Sequence, residues 1–274
     1  MTPFVVGLVL LAALMHAVWN ALVKVSGDRL AVMVGMSAVG GVAGFAVLPF
    51  AVAPALASWP FLALTTAIHV GYYLFLLRAY AVGDLSQVYP VARGGSPLIL
   101  ALISGPVVGE ALSVTQAMGV GLISLGIISL SLGRGSRLAL LYALCTACFI
   151  AAYSATDALG VRRSGSPLGY IGWLFFLDGA MMLAFGFWRR GRTLFSPSRI
   201  DWRQWIGGGV LALCAYGIVV WCYNLGTVAP VSALRETSVV FAALIGSLFL
   251  GEEFGARRVI AASVVASGIV VMNL

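Results

Sequence analysis

Apolar residues run along this chain in blocks of about twenty, and polar or charged residues gather in the short breaks between them. Each block has the length a helix needs to cross a hydrocarbon core about 30 Å thick. Ten are predicted, at residues 4–24, 31–52, 59–78, 86–108, 114–132, 138–158, 167–188, 205–225, 228–250 and 256–273. Unsatisfied backbone groups are costly in lipid, so a spanning segment is a helix or part of a closed barrel, and these runs lack the alternation of barrel strands. The expected fold class is an all-α membrane protein with ten transmembrane helices. The one longer connection, Trp188 to Gln204, holds Arg189, Arg190, Arg192, Pro197 and Arg199 and reads as an amphiphilic surface loop. No basic stretch precedes Phe4, and the first run passes into Lys24 rather than a small-residue cleavage site, which marks a retained span.

Composition agrees with that reading. Charged residues make up 9% of the chain and hydrophobic ones 61%, with a mean hydropathy of +1.05, whereas a soluble domain carries about 25% charged residues. A net charge of +7 would suggest nucleic acid in a soluble protein. Here the basic residues sit in short inter-helix loops and set orientation, so the expected surroundings are membrane lipid and no nucleic acid. Cys145, Cys148, Cys214 and Cys222 all lie in apolar runs, and the C-x-x-C pair has no second pair or histidine at ligand spacing. They read as small packing residues, and neither a metal nor a cofactor is expected. No H-E-x-x-H, G-x-S-x-G or G-x-G-D occurs, so the chain is not read as an enzyme; no G-x-x-x-x-G-K-[ST] loop occurs, so ATP is not its direct energy source.

The chain also repeats itself. Ser86 to Leu130 aligns without gaps on Val228 to Met272 at a constant offset of 142, pairing Arg93 with Arg235, Ser96 with Ser238 and Gly109-Glu110 with Gly251-Glu252. This predicts a duplicated five-helix unit, 1–133 and 134–274. Because five is odd, the second copy crosses in the opposite sense, giving two inverted five-helix repeats with the substrate site at their interface.

Two five-helix repeats in 274 residues, each with a Gly-Glu after its fourth helix, resemble the EamA branch of the drug/metabolite transporter superfamily. The resemblance extends over the whole chain. It implies a secondary transporter in the plasma (bacterial inner) membrane, monomeric or homodimeric, whose central cavity is lined mainly by the first, third, fourth, sixth, eighth and ninth helices.

Arg93 and Arg235 lead the candidate residues. Each lies about seven residues, roughly 10–11 Å, into its helix, where an arginine costs about 2.5–3.5 kcal/mol on insertion scales unless it faces a cavity or partner. Snorkelling to the interface is the plain alternative. As repeat-related guanidiniums approaching the midplane from opposite sides, they suit a carboxylate or phosphate. Glu236 adjoins Arg235, but helical neighbours point about 100° apart and do not face one another, so it need not neutralise that arginine. It is left to pair with Arg93, bind a substrate amino group, carry a proton, or form a buried salt bridge that only fixes packing. Pro90, Gly94, Gly95 and Pro97 are expected to interrupt or kink the fourth helix, and Pro230 likewise the ninth before Arg235.

On the first span His16, Asn20 and Lys24 repeat at i+4 as an inward polar stripe beside Trp19. This Trp-Asn turn is similar to many EamA-type proteins, and the H-A-x-W-N version to a subgroup linked to phosphonate utilisation. His69, Tyr72 and Tyr73 offer aromatic walls and an imidazole, although His69 also suits a core position satisfied by a carbonyl. Tyr216 is the cavity candidate of the eighth span, with Trp221, Tyr223 and Asn224 as interface anchors. Asp157 is placed near an interface, and Asp178, on a helix that the resemblance puts at the periphery, is read as structural. Gly109-Glu110 and Gly251-Glu252 are read as a helix end followed by a carboxylate at the start of the next helix, with Ser113 and Gln116 as a capping box. Gly40 and Gly44 are read as packing residues.

Together these residues predict alternating access for a small polar metabolite with an anionic group: an amino acid, a carboxylate or a phosphonate. The substrate contacts are Arg93, Arg235, Glu236, Asn20, Trp19, Tyr73 and Tyr216, and the proton-coupling candidates Glu236, His16 and His69. The alternative is a carrier or flippase for a lipid-linked phosphate. Loop charge places both termini outside, whereas the resemblance implies termini inside.

Overall fold

The computed structural model describes residues 1–83, 85–131, 136–196, 201–250 and 255–274, without the side chains of 24, 25, 29, 85, 86, 195 and 250. The expectations for Pro197, Arg199, Gly251, Glu252 and the Lys24 side chain fall outside these residues. Among the described residues the chain is all helical: α1 (Pro3–Val25), α2 (Arg29–Val47), α3 (Trp59–Val82), α4 (Leu85–Ile103), α5 (Val114–Ser129), α6 (Arg137–Arg163), α7 (Pro167–Arg190), α8 (Trp202–Tyr223), α9 (Val228–Glu236), α10 (Ser238–Leu250) and α11 (Ala256–Met272). Eight helical stretches are long and apolar enough to cross a membrane, counting α9 with α10 as one, and α5 is a shorter apolar helix. This is an integral membrane protein.

Local chemistry sets the helix ends. Thr2, Ser136, Ser166 and Asp201 each accept a hydrogen bond from a first-turn N–H, and Pro3 and Pro167 open their helices where no partner for an N–H exists. The Ser113–Gln116 capping box forms as expected. Gly109 ends the turn Ser104–Val108 in the left-handed region, at φ +77°.

The expected helix breaks lie elsewhere. Helix α4 runs unbroken through Pro90 and Pro97. Pro97 has no N–H to give the Arg93 carbonyl, and Ser96 Oγ donates to it instead, at 3.1 Å. Pro230 sits in the first turn of α9, where an N–H would lack an intrahelical partner anyway. The ninth run breaks at Thr237, directly after Glu236, and Thr237 Oγ1 donates to the Leu234 carbonyl at 2.7 Å.

Glycines draw α2 onto α7. A Cβ on Gly41 would stand 3.1 Å from Gly179 Cα, and one on Gly44 2.6 Å from the Gly172 carbonyl oxygen. The close pair is therefore Gly41 with Gly44; Gly40 meets only the Phe175 side chain, at 3.5 Å. Helix α5 lies along α11, α3 and α4 pack on α6, and α1 packs on α8, α9 and α10. The center is thus built by α1, α3, α4, α6, α8 and α9, with α7 reaching it from α2.

Candidate functional site

Three charged side chains meet at the middle of the bundle. Arg93 on α4 is 5% exposed, and Arg235 and Glu236 at the end of α9 are 2% and 0%. Arg235 donates to Glu236 Oε1 from Nε at 2.9 Å and from Nη2, and Arg93 Nη1 donates to Glu236 Oε2 at 3.3 Å. Glu236 pairs with Arg93, one of the expected options. It also neutralises Arg235, which corrects the expectation that helical neighbours would not meet. Both side chains lie in the last turn of α9, and the long arginine side chain reaches its neighbour's carboxylate despite the angle between them. Two arginines share one carboxylate, so one positive charge stays in surplus. Arg235 also lies over the Tyr153 and Tyr216 rings at 5.8 Å each, and Arg93 over Tyr89 at 5.3 Å.

Both arginines line a cavity of about 150 Å³, with Glu236 fully buried behind them. Its other walls include His16, His69, Tyr153, Phe175, Asp178 and Tyr216. A larger cavity of about 620 Å³ shares Trp19, Met33, Tyr72, Tyr73 and Arg93 with it. That cavity reaches Val23, Leu30, Tyr80, Phe185 and Arg258, all at helix ends on one face of the bundle, and most of its wall is apolar. Trp19 and Tyr73 therefore line both spaces, Tyr216 the inner one and Asn20 the outer one. Asn20 spends its amide on the His16 carbonyl of its own helix, at 2.7 Å. His16 packs edge-on to Trp19 at 4.8 Å, and its buried Nε2 has no hydrogen-bond partner among the described residues. His69 fits both expectations at once: its Nδ1 lies 2.8 Å from the Thr65 carbonyl and its ring stacks on Tyr153 at 4.5 Å, yet it also faces the cavity.

The two membrane carboxylates differ from their sequence reading. Asp157 is not interfacial but fully buried, accepting hydrogen bonds from Tyr170 and Tyr216. Asp178 lines the inner cavity, and its shielded Oδ1 has no hydrogen-bond partner among the described residues. Tyr223 is likewise no interface anchor, being 0% exposed. An ionisable group inside an apolar run normally faces a cavity or a partner, a signal that singles out Asp178 in the sequence; α7, expected at the periphery, turns the face bearing Asp178 to the cavity.

Residues 137–274, half of the chain, match the EamA-like transporter family. The chain belongs to this family. Membership makes it a membrane transporter of small molecules. No curated protein matches the sequence. A solved structure described as "Crystal structure of protein" is similar in fold to this EamA-like transporter, at a TM-score of 0.78 and 19% identity, covering 100% of this chain and 99% of the other.

The face of the EamA-like bundle opposite the large cavity is tied shut. Arg162 at the end of α6 donates to the carbonyls of Tyr223 at 2.8 Å and Gly226 at 2.7 Å, and pairs with Glu110. Glu110 in turn accepts from the Val228 N–H at the start of α9, at 2.8 Å. The carboxylate was expected at the start of α5; that end is already satisfied by its capping box, and Glu110 caps α9 instead.

Proposed function

We propose that this protein is a secondary transporter of a small polar metabolite bearing an anionic group, working by alternating access between two inverted five-helix repeats, 1–133 and 134–274, in a bacterial inner membrane. One observation carries the reading: repeat-related Arg93 and Arg235 face one cavity with a shared counter-ion behind them, which leaves a positive surplus for an anion. Packing supports the repeat, since the contact of α1 with α8 has its counterpart in α6 with α3, and that of α1 with α9 and α10 in α6 with α4. In this reading Trp19, Tyr73 and Tyr216 shape the substrate space, Asn20 lines its entrance, and Glu236 positions the guanidiniums. Of the coupling candidates His16 is favoured, because its Nε2 is unpartnered at the cavity while Glu236 and His69 are engaged.

The apolar wall of the larger cavity supports a second reading, a carrier for a lipid-linked phosphate. Both readings are tested by uptake of labelled carboxylates, amino acids and phosphonates into proteoliposomes, with and without a pH gradient. Wild type is expected to accumulate at least one class, and Arg93→Ala and Arg235→Ala to lose about ten- to a hundredfold in affinity, the worth of one charged hydrogen bond. Arg→Lys recovers only part, for want of the planar fork. His16→Gln is expected to weaken the response of uptake to the pH gradient. Wild-type uptake by both alanine variants would remove the anion site. Movement of a polyprenyl phosphate across the bilayer without uptake of any soluble probe would favour the second reading.

A further inference from the structure

We infer that Asp178 is a cation-binding subsite facing the arginines across the inner cavity, so that the ligand is a small zwitterion carrying an ammonium as well as an anionic group. The inference rests on the anion site proposed above and adds its opposite pole.

The charges on the cavity wall carry it. On the α4–α9 side, Arg93 and Arg235 divide one carboxylate, and that carboxylate sits behind them, so the wall is net positive. On the α7 side, Asp178 presents a carboxylate whose Oδ1 has no hydrogen-bond partner among the described residues. The ion pairs that both arginines make go to Glu236, not to Asp178. The two poles are thus separate and lie on walls of the same cavity. A ligand of one sign would satisfy one wall and leave the other charge shielded from water without compensation, which is costly. A zwitterion answers both. Aromatic residues lie on the same walls, Tyr72, Tyr73 and Phe175 among them, and the face of such a ring favours an ammonium. A volume of about 150 Å³ suits a small ligand.

The test uses matched probes that differ only in the amine: β-alanine against propionate, and 2-aminoethylphosphonate against ethylphosphonate, each titrated as a competitor and as a labelled substrate in proteoliposomes of the full chain. Wild type is expected to prefer the amine-bearing member of a pair by about ten- to a hundredfold, the range of one charged hydrogen bond. Asp178→Asn, nearly the same size, is expected to bring that ratio close to one, and Asp178→Glu to keep part of it. Because the readout is a ratio within one variant, a loss of folded protein does not imitate the effect. If wild type does not discriminate, or Asp178→Asn keeps the full ratio, the zwitterion assignment is overturned. Propionate or ethylphosphonate moved as well as its partner, and lost with Arg93→Ala, overturns this inference while leaving the anion site standing. If both arginine variants match wild type on every probe, the anion site falls and the zwitterion with it.

Discussion

Glu236 decides how the central charges hold together, because it is the carboxylate that both buried guanidiniums share. Removing one arginine leaves Glu236 paired with the other, whereas removing the carboxylate leaves two cations buried side by side. Breaking a buried pair by deleting one partner typically costs about 3–5 kcal/mol. Glu236→Gln is therefore expected to be less stable than either Arg93→Ala or Arg235→Ala, by a clear margin in thermal unfolding of the purified protein. Equal or higher stability of Glu236→Gln would mean that the arginines do not depend on it. The prominence of each residue is legible in the sequence, since arginines and a glutamate inside apolar runs stand out. Their partnership was only half legible. The Arg93–Glu236 pair was among the options, but the Arg235–Glu236 pair runs against the angle that separates helical neighbours.

Helices α2 and α7 approach closely where side chains are missing. The contact of α2 with α7 depends on Gly41 and Gly44, and a methyl at Gly44 would be driven against the Gly172 carbonyl and the Phe176 backbone, at 2.6 and 3.0 Å. Backbone cannot swing aside as a side chain can. Gly44→Ala is expected to destabilise the protein by about 1–3 kcal/mol, the usual cost of overpacking, and to weaken transport by shifting α7 and with it Asp178. Gly7→Ala in α1 is the control, since its added methyl meets nothing within 4 Å and it should be neutral or slightly stabilising. Detergent-solubilised melting curves of the two variants check this, and equal melting points would refute the packing argument. In α4 the prolines predicted an interruption or a kink; Ser96 supplies the donor that Pro97 lacks, and the helix continues without a break.

At the scale of the molecule, the large cavity reaches one face and the Arg162–Glu110 contacts close the other. The face it reaches is the basic one. Loops after odd-numbered spans and their flanks hold Lys24, Arg29, Arg78, Arg134, Arg137, Arg189, Arg190, Arg192, Arg199, Arg203, Arg257 and Arg258, whereas the other face holds Arg162 and Arg163. A bias of this kind over short loops places the basic face in the cytoplasm. On this charge count we expect the protein to be open to the cytoplasm in this conformation, with both termini outside. A phosphatase fused after Leu274 is expected to be active and a fluorescent protein fused there to be dark. A bright fluorescent fusion would invert the orientation, and the cavity would then open outward.

That the chain is an all-helical membrane protein, and the approximate ends of most of its helices, were legible in the sequence alone, because the length of an apolar run and the cost of unpaired backbone in lipid are local properties. So was the prominence of Arg93, Arg235 and Glu236, since charge within such a run is conspicuous without any fold. Only the tertiary structure decided which of these charges share a partner, that Glu110 caps α9 rather than α5, and that Asp178 faces the cavity while Asp157 is sealed among tyrosines. Those outcomes depend on which face each helix turns toward its neighbours. A nearly uniform apolar helix carries little amphipathic pattern to reveal that face, because in lipid both sides of it are apolar.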